Sequence, residues 1–86
     1  MPRNENYNYN VYQSIPSGIE NATPSDTATY TGVKGFSVDV DGVVSLEMAD
    51  GSTGTMVVLA GLQYSCDVVK FNSTGTTDVT DITIFY

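Results

Sequence analysis

The sequence contains no histidine and no tryptophan, and Cys66 is its only cysteine. Without a second thiol no intrachain disulfide can form. Without histidine, and with one thiol, the usual ligands of a structural zinc site are absent. The commonest general base is missing as well. Cys66 has no histidine to activate it, and it sits in an alternating apolar pattern, so it reads as a small packed hydrophobe.

Cations are scarce too. Arg3, Lys34 and Lys70 stand against ten acidic residues, for a formal net charge of −7. Nucleic-acid binding needs clustered lysine and arginine to neutralise phosphates, and three scattered cations do not supply it. An anionic membrane surface would repel the chain for the same reason. No run approaches the roughly 20 apolar residues of a membrane span. The opening stretch MPRNENYNYN lacks the apolar segment of a signal peptide, from which synthesis in the cytoplasm is expected. The sequons at Asn21-Ala22-Thr23 and Asn72-Ser73-Thr74 are accordingly read as turn residues.

Phosphate-cradling glycine motifs do not occur. Asp39-Val40-Asp41-Gly42 has the look of part of a calcium loop. Aligning Gly42 with the loop glycine, however, places Ser37 at the first ligand position and Met48 at the last, and both fail. Asp39 and Asp41 are the nearest carboxylate pair, but they flank a turn, where aspartate is favoured for local backbone bonding. No catalytic set and no cofactor site emerges, so the expectation is a non-enzymatic protein that binds or assembles.

What is present is β pattern. Phe36, Val38 and Val40 alternate with Ser37 and Asp39, and Asp41-Gly42 signals a tight turn. Val44, Leu46 and Met48 alternate next, then Asp50-Gly51 signals a hairpin into the apolar run ending at Leu59. Ala60-Gly61 breaks that run. Leu62, Tyr64 and Cys66 alternate toward Phe71, Asn72 to Gly75 reads as a turn, and Ile82 to Tyr86 closes the pattern. No window carries a helical stripe. The reading is all-β: a small antiparallel sandwich or barrel of five or six strands over residues 30–86.

Residues 1–29 carry no sustained period, and Pro16 and Pro24 hold their neighbours extended, so this stretch is expected to be an extended N-terminal arm. Tyr7, Tyr9, Tyr12 and Ile15 are its candidate anchors on a partner or neighbouring subunit, because tyrosine offers contact area at low entropy cost. A single domain of this size buries only about 60% of its unfolded surface and, without a disulfide or metal, is expected to associate with copies of itself. The closing run is apolar at consecutive positions, which suggests burial on both faces. Ile82, Ile84, Phe85 and Tyr86 are therefore the candidate subunit interface.

One resemblance runs through the domain. Ala22 to Ala28 (ATPSDTA) is followed by Gly35-Phe36-Ser37-Val38, Gly42-Val43-Val44, Ala49 to Thr53 (ADGST), Leu59-Ala60-Gly61 and Thr74 to Thr77 (TGTT), with an aromatic C-terminus. In that order and spacing, residues 22–86 resemble the small spike-base proteins of tailed phages and gene transfer agents. The single motifs are ordinary turn strings, and the specificity lies in their order. The resemblance implies a virion structural protein on the outer capsid surface. Its implied partners are the major capsid protein, further copies of the chain and a head spike or fibre protein, and it implies no catalytic residue. A tail or baseplate component shares this profile. A carbohydrate-binding module is the other alternative, with Tyr30, Tyr64 and Tyr86 as candidate platforms.

Overall fold

Period-2 alternation places every second side chain on one face of a strand, and the chain forms six strands. The computed structural model describes residues 15–86. They comprise β1 (Ile19–Ala22), β2 (Gly35–Val38), β3 (Gly42–Met48), β4 (Thr53–Val58), β5 (Val68–Thr77) and β6 (Ile82–Phe85). The strands build two three-stranded antiparallel sheets, one in the order β1-β6-β2 and the other β4-β3-β5. The all-β expectation holds, with six strands.

The sheets face each other across one core. Phe36, Val38, Ile82 and Ile84 come from the first sheet, and Val44, Leu46, Val58, Val68 and Phe71 from the second. Phe36 and Phe71 meet edge to face across the gap, with ring centroids 5.0 Å apart, the favoured aromatic geometry. Val33 and Val79, from the connections, complete the interior.

The two Asp-Gly pairs behave differently. Asp50-Gly51 makes the hairpin between β3 and β4. Gly51 takes φ 89°, and the Met48 N–H donates to the Ser52 carbonyl at 2.8 Å, a three-residue loop closed by a left-handed glycine. Asp41-Gly42 makes no hairpin, because β2 and β3 belong to different sheets. Gly42 is required for another reason: a Cβ there would overlap the carbonyl oxygen of Thr77 on β5.

Further expectations are corrected. Leu62 to Cys66 is a connection, bridged to a strand where Tyr64 pairs with Phe36. Asn72 to Gly75 lies inside β5. There Ser45 pairs with Asn72 and Val43 with Thr77, so residues 73–76 bulge opposite Val44. The Thr76 hydroxyl holds the bulge, accepting from the Ser45 N–H at 3.0 Å and donating to the Asn72 carbonyl. Asn21 likewise lies in a strand, β1. The boundary at residue 30 also moves, since β1 is bonded to β6 from Ile19↔Phe85 to Ala22↔Ile82. Of the segment read as an arm, residues 19–22 are part of the sheet.

Candidate interaction surfaces

An open sandwich has four strand edges, and each exposes a row of peptide groups unless something covers it. The outer edge of β2 is covered: Phe36 and Tyr64 exchange N–H···O bonds of 2.9 and 2.8 Å, and the Gly61 N–H donates to the Val38 carbonyl. The outer edge of β5 is clasped by the segment after β1. The Ser25 N–H donates to the Phe71 carbonyl and the Tyr30 N–H to the Val69 carbonyl, both at 2.8 Å. Asp26 completes the clasp by accepting the Thr74 N–H at 3.0 Å and the Thr74 hydroxyl at 2.6 Å. Those bonds to Thr74 hold the Asp26 carboxyl below its ordinary 3.8.

Among the described residues nothing bonds the outer edges of β1 and β4. β1 is four residues long and carries Glu20, a short, charged edge of the kind that discourages pairing. β4 runs six residues, Thr-Gly-Thr-Met-Val-Val, with no charge and no proline. Met48 and Ser52 form the last bonded pair at the hairpin. The alternation of an antiparallel ladder then gives bonded pairs at Leu46/Gly54, Val44/Met56 and Gly42/Val58. Thr53, Thr55 and Val57 therefore direct their N–H and C=O groups outward. Val57 is also 72% exposed, and it shares the outer sheet face with its partner Val43.

The candidate residues of the closing strand divide. β6 is the middle strand of its sheet, and Ile82 and Ile84 are 1% and 0% exposed inside the chain's own core. They are unavailable to another subunit, which corrects the interface expectation for both. Phe85 is half-buried on the opposite face, beside Ile19 and Gly35 of the flanking strands. Tyr86 is also half-buried, and its backbone accepts from the Ser17 and Gly18 N–H groups. Its hydroxyl donates to Glu20. Burial, with that bond and the charge of Glu20 adding to it, pushes the Tyr86 phenol up to about 12. Burial first, then Glu20, also raises Tyr30 above its ordinary 10.0.

Of the arm anchors, Tyr7, Tyr9 and Tyr12 lie outside the described residues. Ile15 is 49% exposed, and its carbonyl accepts from Lys34 Nζ at 3.2 Å.

The tyrosines considered as sugar platforms pack inward. Tyr64 stacks on Phe36 at 5.4 Å, and Tyr30 meets Phe71 edge-on at 6.0 Å. The Tyr64 hydroxyl accepts the Leu59 N–H at 2.8 Å. Cys66 is half-buried against the core. Among the described residues no group of three or more aspartate, glutamate, cysteine or histidine side chains gathers closely enough to hold a metal ion.

Open β4 escaped the sequence reading because its pattern is that of any short strand. Only the order β4-β3-β5 shows that it ends a sheet. The class of protein these observations define is a two-sheet antiparallel β-sandwich whose β4 edge is uncharged and, among the described residues, bare. In comparisons with known proteins, no family model and no curated protein matched the chain.

Proposed function

We propose that this protein is a non-enzymatic structural subunit of a virion. It decorates the outer capsid surface or forms the base of a head spike or fibre, held there by its N-terminal segment and by self-association. The observation that carries the reading is the ordered run of motifs over residues 22–86 that resembles the spike-base proteins of tailed phages and gene transfer agents. Three physical features support it. The formal charge of −7 disfavours nucleic acid and anionic membranes as partners. The bare edge of β4 offers a ready contact for another chain. Many copies on a repeating shell need little affinity from each contact.

The test is co-sedimentation with mature capsids that lack the protein. Full-length chain is expected to pellet with the capsids, and a full-length variant with Tyr7, Tyr9 and Tyr12 changed to alanine is expected to stay in the supernatant. Binding of the wild-type chain to purified tails and not to capsids would move it to the tail or baseplate. Equal pelleting of both proteins would remove the anchoring role of the arm.

A further inference from the structure

The bare edge of β4 and the segment before Ile15 have complementary features. Tyr7-Asn8-Tyr9-Asn10-Val11-Tyr12 has no charge and no proline, and it alternates tyrosine and valine with asparagine. Tyrosine and valine favour strands, and Tyr7, Tyr9 and Val11 would share one face. β4 presents the matching half of a ladder: three outward-directed peptide units, at Thr53, Thr55 and Val57, beside an exposed valine. Aromatic and β-branched side chains are favourable cross-strand neighbours.

Charge selects this segment over the rest of the molecule. Arg3 and Glu5 cancel within residues 1–14, so the whole formal charge of −7 sits on residues 15–86. Two sandwiches brought edge to edge repel each other, whereas residues 7–12 add no charge of their own at β4.

Chain length decides which copy supplies it. The Ile15 carbonyl is held by Lys34, and the Ser17 and Gly18 N–H groups by Tyr86, all on the first sheet. β4 belongs to the second sheet, and packed sheets lie about 10 Å apart. The three Cα steps from Tyr12 to Ile15 span at most roughly 11 Å. That would be used up in crossing to β4, leaving nothing for the chain to reverse direction. A chain cannot easily place Tyr7 to Tyr12 on its own β4, but it can place them on a neighbour's.

We infer that residues 7–12 of one copy add as a fourth strand to the outer edge of β4 in a second copy. The inference rests on the self-association in the proposed function and gives that association a site. Such a contact is head-to-tail, so it closes into a ring or continues as a chain of subunits.

The experiment uses the full-length protein throughout. Sedimentation velocity over a concentration series reads the association, and hydrogen exchange reads the amides of Thr55 and Val57. Three variants are compared with wild type: Tyr9→Pro in the arm, and Thr55→Pro and Val57→Lys in the edge. Proline at position 55 removes an outward N–H and spares the β3 ladder, a place where strands accept it. Val57→Lys needs no backbone change if the proline variant fails to fold.

Wild type is expected to associate, with the Thr55 and Val57 amides slowing their exchange as concentration rises. The proline variants are expected to raise the dissociation constant by roughly a hundredfold, the loss of a few backbone hydrogen bonds, and Val57→Lys to weaken association through its side chain. In each variant the remaining edge amides, position 57 alone in Thr55→Pro, are expected to exchange freely. Association unchanged in Tyr9→Pro and Val57→Lys would overturn the arm-to-edge pairing while leaving self-association standing. A wild-type chain that stays monomeric with both amides exchanging freely would overturn self-association as well. Protection of both amides in a monomer at every dilution would assign the edge to the chain's own arm and overturn the exchange between copies.

Discussion

β4 and β5 flank the same strand, β3, and both turn apolar side chains into the same core, yet their outer edges are treated in opposite ways. β5 is bulged over residues 73–76, clasped by Ser25 and Tyr30, and tied at Thr74 to Asp26. β4 is regular and bare among the described residues, with Val57 largely exposed. A bulge and a covering loop are two of the devices that stop a sheet from growing. Among the described residues the sheet is thus closed on one side and open on the other.

Four comparisons test how deep this asymmetry goes. The largest effect is expected in the core. Phe71→Ala on β5 removes a ring that is 1% exposed and should cost about 3–5 kcal/mol, much of a total on the order of 5–15 kcal/mol. Met56→Ala on β4, where the side chain is only half-buried, should cost about 2 kcal/mol or less. Urea denaturation of the pair measures the difference, and equal losses would mean that β4 anchors the core as firmly as β5.

Glycines give a contrast of sign. Gly42→Ala drives a methyl group into the Thr77 carbonyl of β5, a clash expected to destabilise by about 1–3 kcal/mol. A methyl group on Gly54 of β4 would meet nothing within 4 Å, and the backbone there has no positive φ. Gly54→Ala should therefore stabilise by roughly 0.4–1 kcal/mol, through the unfolded chain. Thermal melts of the two variants should move in opposite directions.

A smaller effect separates the edges by pH. The Asp26 carboxyl is held below its ordinary value in the folded protein. Its contribution is therefore present above pH 3.8 and lost as pH falls through the lower folded value. Asp50, in the hairpin leading into β4, is held down in the same direction by its bonds to Ser52. Asp26→Asn should flatten part of the acid-side decline and loosen the β5 clasp, read as faster exchange of the Thr74 amide. Asp50→Asn should flatten its own part and leave Thr74 unchanged. Val57→Lys closes the series, with a stability change within about 0.5 kcal/mol as an exposed substitution. A larger loss on melting would show that Val57 supports its own fold.

The hairpin of β3 and β4 was legible in the sequence because alternation and Asp50-Gly51 agree with each other. β6 was legible as a strand but not in its place. An apolar run signals burial on both faces without saying whose surfaces do the burying; here the chain's own second sheet covers Ile82 and Ile84, and the other face of β6 is half-buried. β1 itself was hidden, since Ile-Glu-Asn-Ala has no apolar alternation and owes its conformation to pairing with β6. Asn72 to Gly75 misled because turn residues also build bulges, and only the partner strand distinguishes the two. The candidate edge was illegible for a related reason. Whether a strand ends a sheet depends on which other strands reach it, and those contacts are distant in sequence.

The placement of β6 between β1 and β2 also sets a timetable. Its ladder joins Ile19 to Phe85 and Gly35 to the same residue, so the first sheet has no middle until the last strand arrives. The β3–β4 hairpin joins neighbours in sequence and can form early, whereas pairing across such separations is slow. The first sheet is therefore completed only when β6 docks, and until then the inner face of the second sheet lacks the cover of Ile82 and Ile84.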